Sequence, residues 1–246
     1  MRVFLTLPAY NEQEALPRLF QAFEQEVALA GSHDGRVVIV DDGSRDRTCE
    51  VISQWGGRLS IDLVRHASNR GLGETIRDAL RRASELAATD DVIVTMDADN
   101  THSPALIPGM IARLNQGYDL VIASRYRRGA RVVGLSPVRH VMSYGARFLF
   151  QILYPISGVR DYTCGFRAYR AGLLHKAFLT YGDSLVTERG FACMAEILLK
   201  LARLGLRASE VPMVLRYDQK PSASKMNVGN TVSTTIKLIA RTRFSR

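Results

Sequence analysis

Apolar residues recur along this chain in two rhythms. RVFLTL at 2–7 and RVVIV at 36–40 are short runs rich in β-branched and aromatic residues, as strands require. Between them, EQEALPRLFQAFEQEVALA places apolar residues at 16, 19, 20, 23 and 27, the spacing of one helix face. Strand, helix, strand is the pattern of a parallel α/β unit. DDGSRDRT then supplies turn and N-cap chemistry before the helical CEVISQW. SIDLVRH at 60–66 predicts a third strand, and NRGLGETIRDALRRASELA a glycine-rich entry into a strongly periodic helix. DDVIVTMDAD at 90–99 predicts a fourth strand with a carboxylate-bearing tip. SPALIPGMIARLNQG reads as helix and YDLVIASRY as strand.

After about residue 125 the rhythm breaks. The stretch at 137–157, within SPVRHVMSYGARFLFQILYPISG, predicts an amphipathic helix with an unusually apolar face, read more readily as core packing than as membrane contact. CGFRAYRAGLLHKA is mixed, ERGFACMAEILLKLARLG is a strong helix and ASEVPMVLRY a strand. There is no internal repeat and no low-complexity linker. The pattern predicts one α/β domain with a modified C-terminal half.

Composition narrows the picture only slightly. The 246 residues suffice for one large domain. Cys49, Cys164 and Cys193 are sparse and odd in number, which favours a reducing compartment over a disulfide framework. The opening MRVFLTLPAYNEQEA loses its apolar run at Pro8 and Asn11, so it reads as a first strand rather than a secretion signal. No apolar stretch reaches bilayer length. The net charge is +9, concentrated in SRYRRGAR at 124–131 and KLIARTRFSR at 237–246. Such a balance suits nucleic acid, an anionic membrane surface or a phosphorylated substrate.

The chemistry lies at strand ends. PAYNE at 8–12, DDGS at 41–44 and DAD at 97–99 each follow a predicted strand, where open parallel sheets bind ligands. Neither the dinucleotide-binding glycine fingerprint nor a Walker loop is present. A hard divalent cation held by carboxylate oxygens and substrate phosphates is the standard alternative. Asp97 and Asp99, one residue apart, can address one such ion.

LPAYNE, VDDGS, NRGLG, MDADNTHSP, ASRYRRG, DYTCGFRAYR, GFACMAEIL, EVP and SASKM run in that order between residues 5 and 226. Together they resemble glycosyltransferase family 2 enzymes of the GT-A fold, in particular the polyprenyl-phosphate, dolichol-phosphate-mannose-synthase-like branch. The resemblance implies a single Rossmann-like, mostly parallel sheet flanked by helices, with a modified acceptor-binding C-terminal half. It implies a glycosyltransferase domain over 1–216, a nucleotide-binding half at about 1–125, an acceptor-binding half at about 126–216, and a basic, mobile C-terminal segment at 217–246. Pro8, Tyr10, Glu12, Asp41 and Asp42 are then expected at the nucleotide, joined by Asp97. Asp97 and Asp99 are expected to hold Mg²⁺ or Mn²⁺, with Asp99 dominant.

For the acceptor phosphate, the resemblance implies Arg125, Arg139, Ser143 and Arg147. The last three recur every four residues on one helix face, and arginine offers phosphate paired donors. Asp161, Thr163 and Arg167 are expected near the reacting centre, and Glu196 matches a helix carboxylate of the family. Arg216, Lys220 and Lys225 are the basic candidates for the leaving diphosphate. Three stretches depart from the family: Thr101 stands where Gln or Ser is common, Met194 where Gln is common, and RYDQKPSASKM has Ser222 where Gly is common, with Arg216 too far upstream for a simple match and Lys220 nearer.

The expected reaction is a metal-dependent, inverting transfer of mannose, glucose or a similar sugar from a nucleoside diphosphate to polyprenyl phosphate. An acceptor phosphate is largely ionised at neutral pH and needs no base. A hydroxyl acceptor requires one, and Asp161 or Glu196 becomes the candidate. Expected partners are the nucleotide sugar, the lipid, an anionic membrane surface and a membrane protein, for an enzyme peripheral to the cytoplasmic face of a membrane. The alternatives are a family 2 transferase acting on a sugar or polysaccharide hydroxyl, a non-catalytic sugar-nucleotide sensor, and a basic nucleic-acid-binding protein. The last has only charge in its favour, for no recognition motif is present.

Overall fold

The structure, a computed structural model, describes residues 1–29, 35–219 and 234, without the side chains at 27–29, 137–139 and 141. Nine strands and seven helices occur among these residues. The first half follows the apolar rhythm: β1 (Val3–Ala9), α1 (Leu16–Leu29), β2 (Gly35–Asp41), α2 (Thr48–Trp55), β3 (Ser60–Arg65), α3 (Leu72–Leu86) and β4 (Val92–Thr95). Then come α4 (Ile107–Leu114), β5 (Leu120–Ser124), β6 (Arg131–Val133), α5 (Pro137–Leu153), β7 (Arg167–Arg170), α6 (Ala171–Tyr181), α7 (Cys193–Ala202), β8 (Ala208–Pro212) and β9 (Val214–Arg216).

Seven strands form one sheet in the order β3-β2-β1-β4-β7-β5-β8. β1 pairs parallel with β2 on one side and β4 on the other, so the strand order reverses between β1 and β4. Ligand-binding crevices open outside the carboxyl ends of the strands at such a point. Phe4, Leu5, Leu7, Val38, Ile39, Val94, Phe20 and Phe23 are fully buried around this centre. Each large side chain contributes about 1.5–3 kcal/mol by leaving water.

The C-terminal half departs from the parallel pattern. β7 runs antiparallel between β4 and β5, in a stretch whose sequence is mixed. Arg167, its first residue, is wholly buried and donates from Nη1 to Met194 O and from Nη2 to Tyr162 O, both at 2.8 Å. β6 and β9 form a separate parallel pair. The expected helix at 137–157 is α5, which ends at Leu153 just before Tyr154 and Pro155. Phe150 turns inward and stacks on Tyr162 with ring centroids 5.2 Å apart. Tyr144, Phe148 and Ile152 on the same helix are more than half exposed, so core packing accounts for only part of its apolar face. Among the described residues, no helix is long and apolar enough to cross a membrane.

Candidate active site

Three loops leave the carboxyl ends of β1, β2 and β4 side by side. The first two are stitched together by their own polar residues. Asn11 adopts φ 53°, a left-handed conformation that asparagine tolerates better than most residues. Its N–H donates to Ser44 Oγ at 2.8 Å, and its Oδ1 accepts from Arg45 N–H at 2.8 Å. Glu12 N–H donates to Thr48 Oγ1 at 2.9 Å, and Gln13 Oε1 accepts from Arg47 N–H at 2.9 Å. Asp42 N–H returns to Ala9 O at 2.8 Å. The PAYNE and DDGS segments therefore form one rigid rim. Pro8 sits within β1 opposite Val40.

That rim borders a cavity of about 470 Å³, lined by Tyr10, Asp41, Ser44, Arg45, Arg65 and Asn69 among others. Its size suits a drug-sized ligand. Asp41 is buried; its Oδ1 accepts from Ser44 N–H at 3.2 Å and its Oδ2 from the Cys49 thiol at 3.2 Å. Burial, reinforced by that hydrogen bond and the Asp41 charge, pushes the Cys49 thiol up to about 11. Asp42 faces away from the lining. It accepts Arg70 N–H at 2.8 Å and Gly71 N–H at 3.0 Å, which fixes the NRGLG entry to α3.

β4 ends at Thr95, so both carboxylates of MDAD lie beyond the strand, in the loop that follows. Asn100 takes φ 61° at the turn and anchors it by donating to Ala15 O at 2.8 Å. Asp99 is buried, and its Oδ1 accepts from Thr101 N–H at 3.1 Å and Thr101 Oγ1 at 2.7 Å. Thr101 thus orients the carboxylate through its hydroxyl. His102 Nδ1 accepts from Asp97 N–H at 3.2 Å, and its ring lies 5.3 Å from Phe166. A Cβ placed on Gly165 would lie 3.3 Å from Asp97 Oδ1, so glycine makes room for that carboxylate.

This donor set fits a hard cation that takes the rest of its shell from substrate and water. The Asp97–Thr101 loop offers two carboxylates at one turn. Among the described residues, no cluster of three or more His, Cys, Asp or Glu side chains forms a self-contained metal cage. A Mg²⁺-type site with one or two carboxylates plus substrate phosphates has this character.

β9 brings the expected Arg216 to the same loop. Its N–H donates to Thr101 O at 3.1 Å, while its guanidinium pairs with Asp218 at 2.7 Å on the surface. Tyr217 follows. Burial pushes its phenol up, with Arg125 opposing and Asp97, Asp99 and Cys164 adding to the effect. Tyr217 is a site neighbour that residue types and spacing did not disclose. Lys220 and Lys225 lie outside the described residues.

The residues expected to bind an acceptor phosphate have other partners. Arg125 turns inward: Nε donates to Asp161 Oδ2 at 2.8 Å, and Nη2 to Asp161 Oδ1 and Thr163 Oγ1, both at 2.6 Å. Arg147 lies over the Tyr126 ring at 4.8 Å and donates to Gln151 at 3.3 Å. Ser143 bonds the Tyr126 hydroxyl. The side chain of Arg139 lies outside the described ones.

The two candidate bases are saturated as well. Asp161 is fully buried. Burial alone would raise its carboxyl, but Arg125 and the N–H groups of Arg125 and Cys164 hold it below the ordinary range. Glu210 Oε1 secures the loop beneath by accepting Arg160 N–H at 2.6 Å and Asp161 N–H at 2.7 Å. Glu196 is buried; burial would raise it, but Lys200, Thr187 and the N–H of Glu188 hold it down. Both carboxylates stay ionised and bound, which suits them to positioning.

Comparison with known proteins agrees with this architecture. The Glycosyl transferase family 2 model matches residues 5–178. A dolichol-phosphate mannosyltransferase of Pyrococcus furiosus is 33% identical over 81% of this chain, which spans 53% of that protein. The chain thus covers about half the length of that relative. An undecaprenyl-phosphate mannosyltransferase of Micrococcus luteus is 30% identical over 93% of the chain and 89% of its own length. Among solved structures, Mycobacterium tuberculosis glucosyl-3-phosphoglycerate synthase with Mn²⁺, UDP-glucose and phosphoglyceric acid overlays 97% of this chain and 77% of its own, at TM-score 0.66 and 20% identity. Its complex with Mg²⁺ and UDP overlays 99% and 78%, at TM-score 0.63 and 19% identity. These structures share the expected fold, and they hold the expected Mn²⁺ or Mg²⁺.

Proposed function

This chain belongs to glycosyl transferase family 2, and from that premise we propose that it transfers a sugar from a nucleoside diphosphate to a hydroxyl of a small-molecule acceptor, in a reaction dependent on Mg²⁺ or Mn²⁺. The observation that carries the reading is that β1, parallel to β2 on one side and β4 on the other, sets the Asp41 cavity rim and the Asp97–Asp99 turn at the same end of the sheet.

The expected polyprenyl-phosphate acceptor, with its membrane surface and membrane partner, gives way. The solved structures that overlay nearly the whole chain include ones that pair a nucleotide sugar with phosphoglyceric acid, a small acceptor. Within this chain, Arg125 is held by Asp161 and Arg147 lies over Tyr126, so neither is set out as a lipid-phosphate cradle. The nine-motif run still resembles the lipid-phosphate branch, but the proposed acceptor stands nearer the alternative of a family 2 transferase acting on a sugar or polysaccharide hydroxyl.

In this reading residues 1–125 form the donor half and 126–216 the acceptor half. Tyr10 and Asp41 contact the nucleotide, while Pro8, Glu12 and Asp42 shape the rim. Asp97 and Asp99 hold the cation, which when bound neutralises charge on the departing diphosphate. Thr101 keeps Asp99 in place, and Arg216, whose guanidinium pairs with Asp218, holds Thr101 through its main-chain N–H. Asp161, Arg167 and Glu196 position the acceptor half.

The test is a screen of nucleoside-diphosphate glucose and mannose with Mn²⁺ against phosphoglycerate, simple sugars and a short polyprenyl phosphate. Glycoside formed on a small hydroxyl acceptor supports the reading. Product confined to the polyprenyl phosphate overturns it.

A further inference from the structure

His66 follows β3 and is buried, yet no step above uses it. Its Nδ1 lies 2.8 Å from Asp42 Oδ1, and its Nε2 lies 3.1 Å from Asp78 Oδ2. An ionised carboxylate only accepts hydrogen bonds. With one carboxylate against each ring nitrogen, the ring bridges Asp42 and Asp78. A buried polar ring must find hydrogen-bond partners, and this one has two.

The groups around it make it a joint between three segments. Its own N–H donates to Asp41 O at 2.9 Å, so main chain and ring bind the same two-aspartate turn. Asp42 also receives Arg70 N–H and Gly71 N–H. Asp78, on α3, faces Arg77 Nε at 3.0 Å and Arg70 Nη1 at 3.4 Å, and both arginines also reach Glu74. Gly43 fits against the loop that follows β3: a Cβ there would stand 2.7 Å from Ser68 C. Residues 43–45 and 65–69 line the cavity beside Asp41. The two sides of that cavity are therefore tied together behind it, through His66.

We infer that His66 is a positioning residue for donor binding: its ring, clamped between Asp42 and Asp78, sets the shape of the cavity that takes the nucleoside diphosphate. The inference rests on the functional reading given above. It assigns His66 no contact with the reacting atoms, so its loss acts on donor affinity and leaves the chemical step.

Calorimetric titration of UDP and GDP, each with Mn²⁺, onto the wild-type chain, His66→Gln and His66→Ala tests this, with donor KM and kcat measured alongside. Losing a hydrogen bond to a charged group predicts about tenfold weaker nucleotide binding in His66→Ala. Donor KM rises in step and kcat stays near wild type, while His66→Gln recovers part of the loss. Should His66→Ala fail to fold, Asp78→Asn carries the test, with about threefold weaker binding expected from the loss of one charged partner. Unchanged affinity in a folded His66 variant, or in Asp78→Asn, overturns the inference. A wild-type chain that binds neither nucleotide overturns the functional reading, and this inference with it.

Discussion

Arg125 and Asp161 form a two-pronged buried pair, Nε to Oδ2 at 2.8 Å and Nη2 to Oδ1 at 2.6 Å, which ties the end of β5 to the loop before β7. Asp161 is completely buried. Removing one partner leaves the other charged and unpaired, at a cost of about 3–5 kcal/mol. Arg125→Ala and Asp161→Asn are each expected to lower stability by that order in urea unfolding. An acceptor-binding role without structural weight would leave the midpoint of Arg125→Ala unmoved.

Stability should fall on acidification. Asp161 and Glu196 are both held below their ordinary values of 3.8 and 4.5. A depressed carboxyl contributes stability above its unfolded value and loses it as pH falls through the lower folded value. Glu210 is raised by burial and acts in the opposite sense: its contribution is present below 4.5 and lost as pH rises through its folded value. Asp91 and Asp218 are also held below the ordinary value, and four depressed carboxyls against one raised predict a declining melting temperature below about pH 4. Calorimetry from pH 7 to pH 3 measures it, and Glu196→Gln should flatten the decline.

Gly165→Ala tests the space behind the metal loop. Gly165 shows no positive φ, so alanine is acceptable to its backbone, but the new methyl would stand 3.3 Å from Asp97 Oδ1. The carboxylate must shift by a few tenths of an ångström. The expected result is a several-fold higher Mn²⁺ requirement for nucleotide binding, with a stability change under about 1 kcal/mol. Metal titration and thermal melting separate the two effects.

Cys49 reports on Asp41. With its thiol pushed up to about 11, almost no thiolate exists at neutral pH, and the thiolate is the reactive form. Alkylation of Cys49 by iodoacetamide should stay slow from pH 7 to 9 and accelerate towards pH 11. Asp41→Asn removes the charge and should speed it at pH 8, as mass spectrometry of the Cys49 peptide would show.

The N-terminal half of the fold was legible in the sequence and the C-terminal half much less so. β1, β2 and β4 are central and buried, so their apolar runs are continuous, and the polar clusters that end them mark the crevice. β7 was not legible. RAYR carries two arginines in four residues, and the charge of Arg167 is buried because the carbonyls of Met194 and Tyr162 accept from it. Met194 lies twenty-seven residues on, and a carbonyl is identical for any residue type. The same limit applied to Arg125: its basic neighbourhood suggested a phosphate, but its partner, Asp161, lies thirty-six residues on. Nor did spacing disclose His66, whose two carboxylates come from different segments.

In the proposed function, metal-dependent sugar transfer to a hydroxyl turns on the Asp97–Asp99 loop. Its most direct test is the yield of glycosylated phosphoglycerate from UDP-glucose or GDP-mannose, with and without Mn²⁺, for the wild-type chain and Asp99→Asn. The account predicts product only with the metal, and a loss of about a hundredfold or more in Asp99→Asn. Equal yield from Asp99→Asn, or a yield indifferent to the metal, would contradict it.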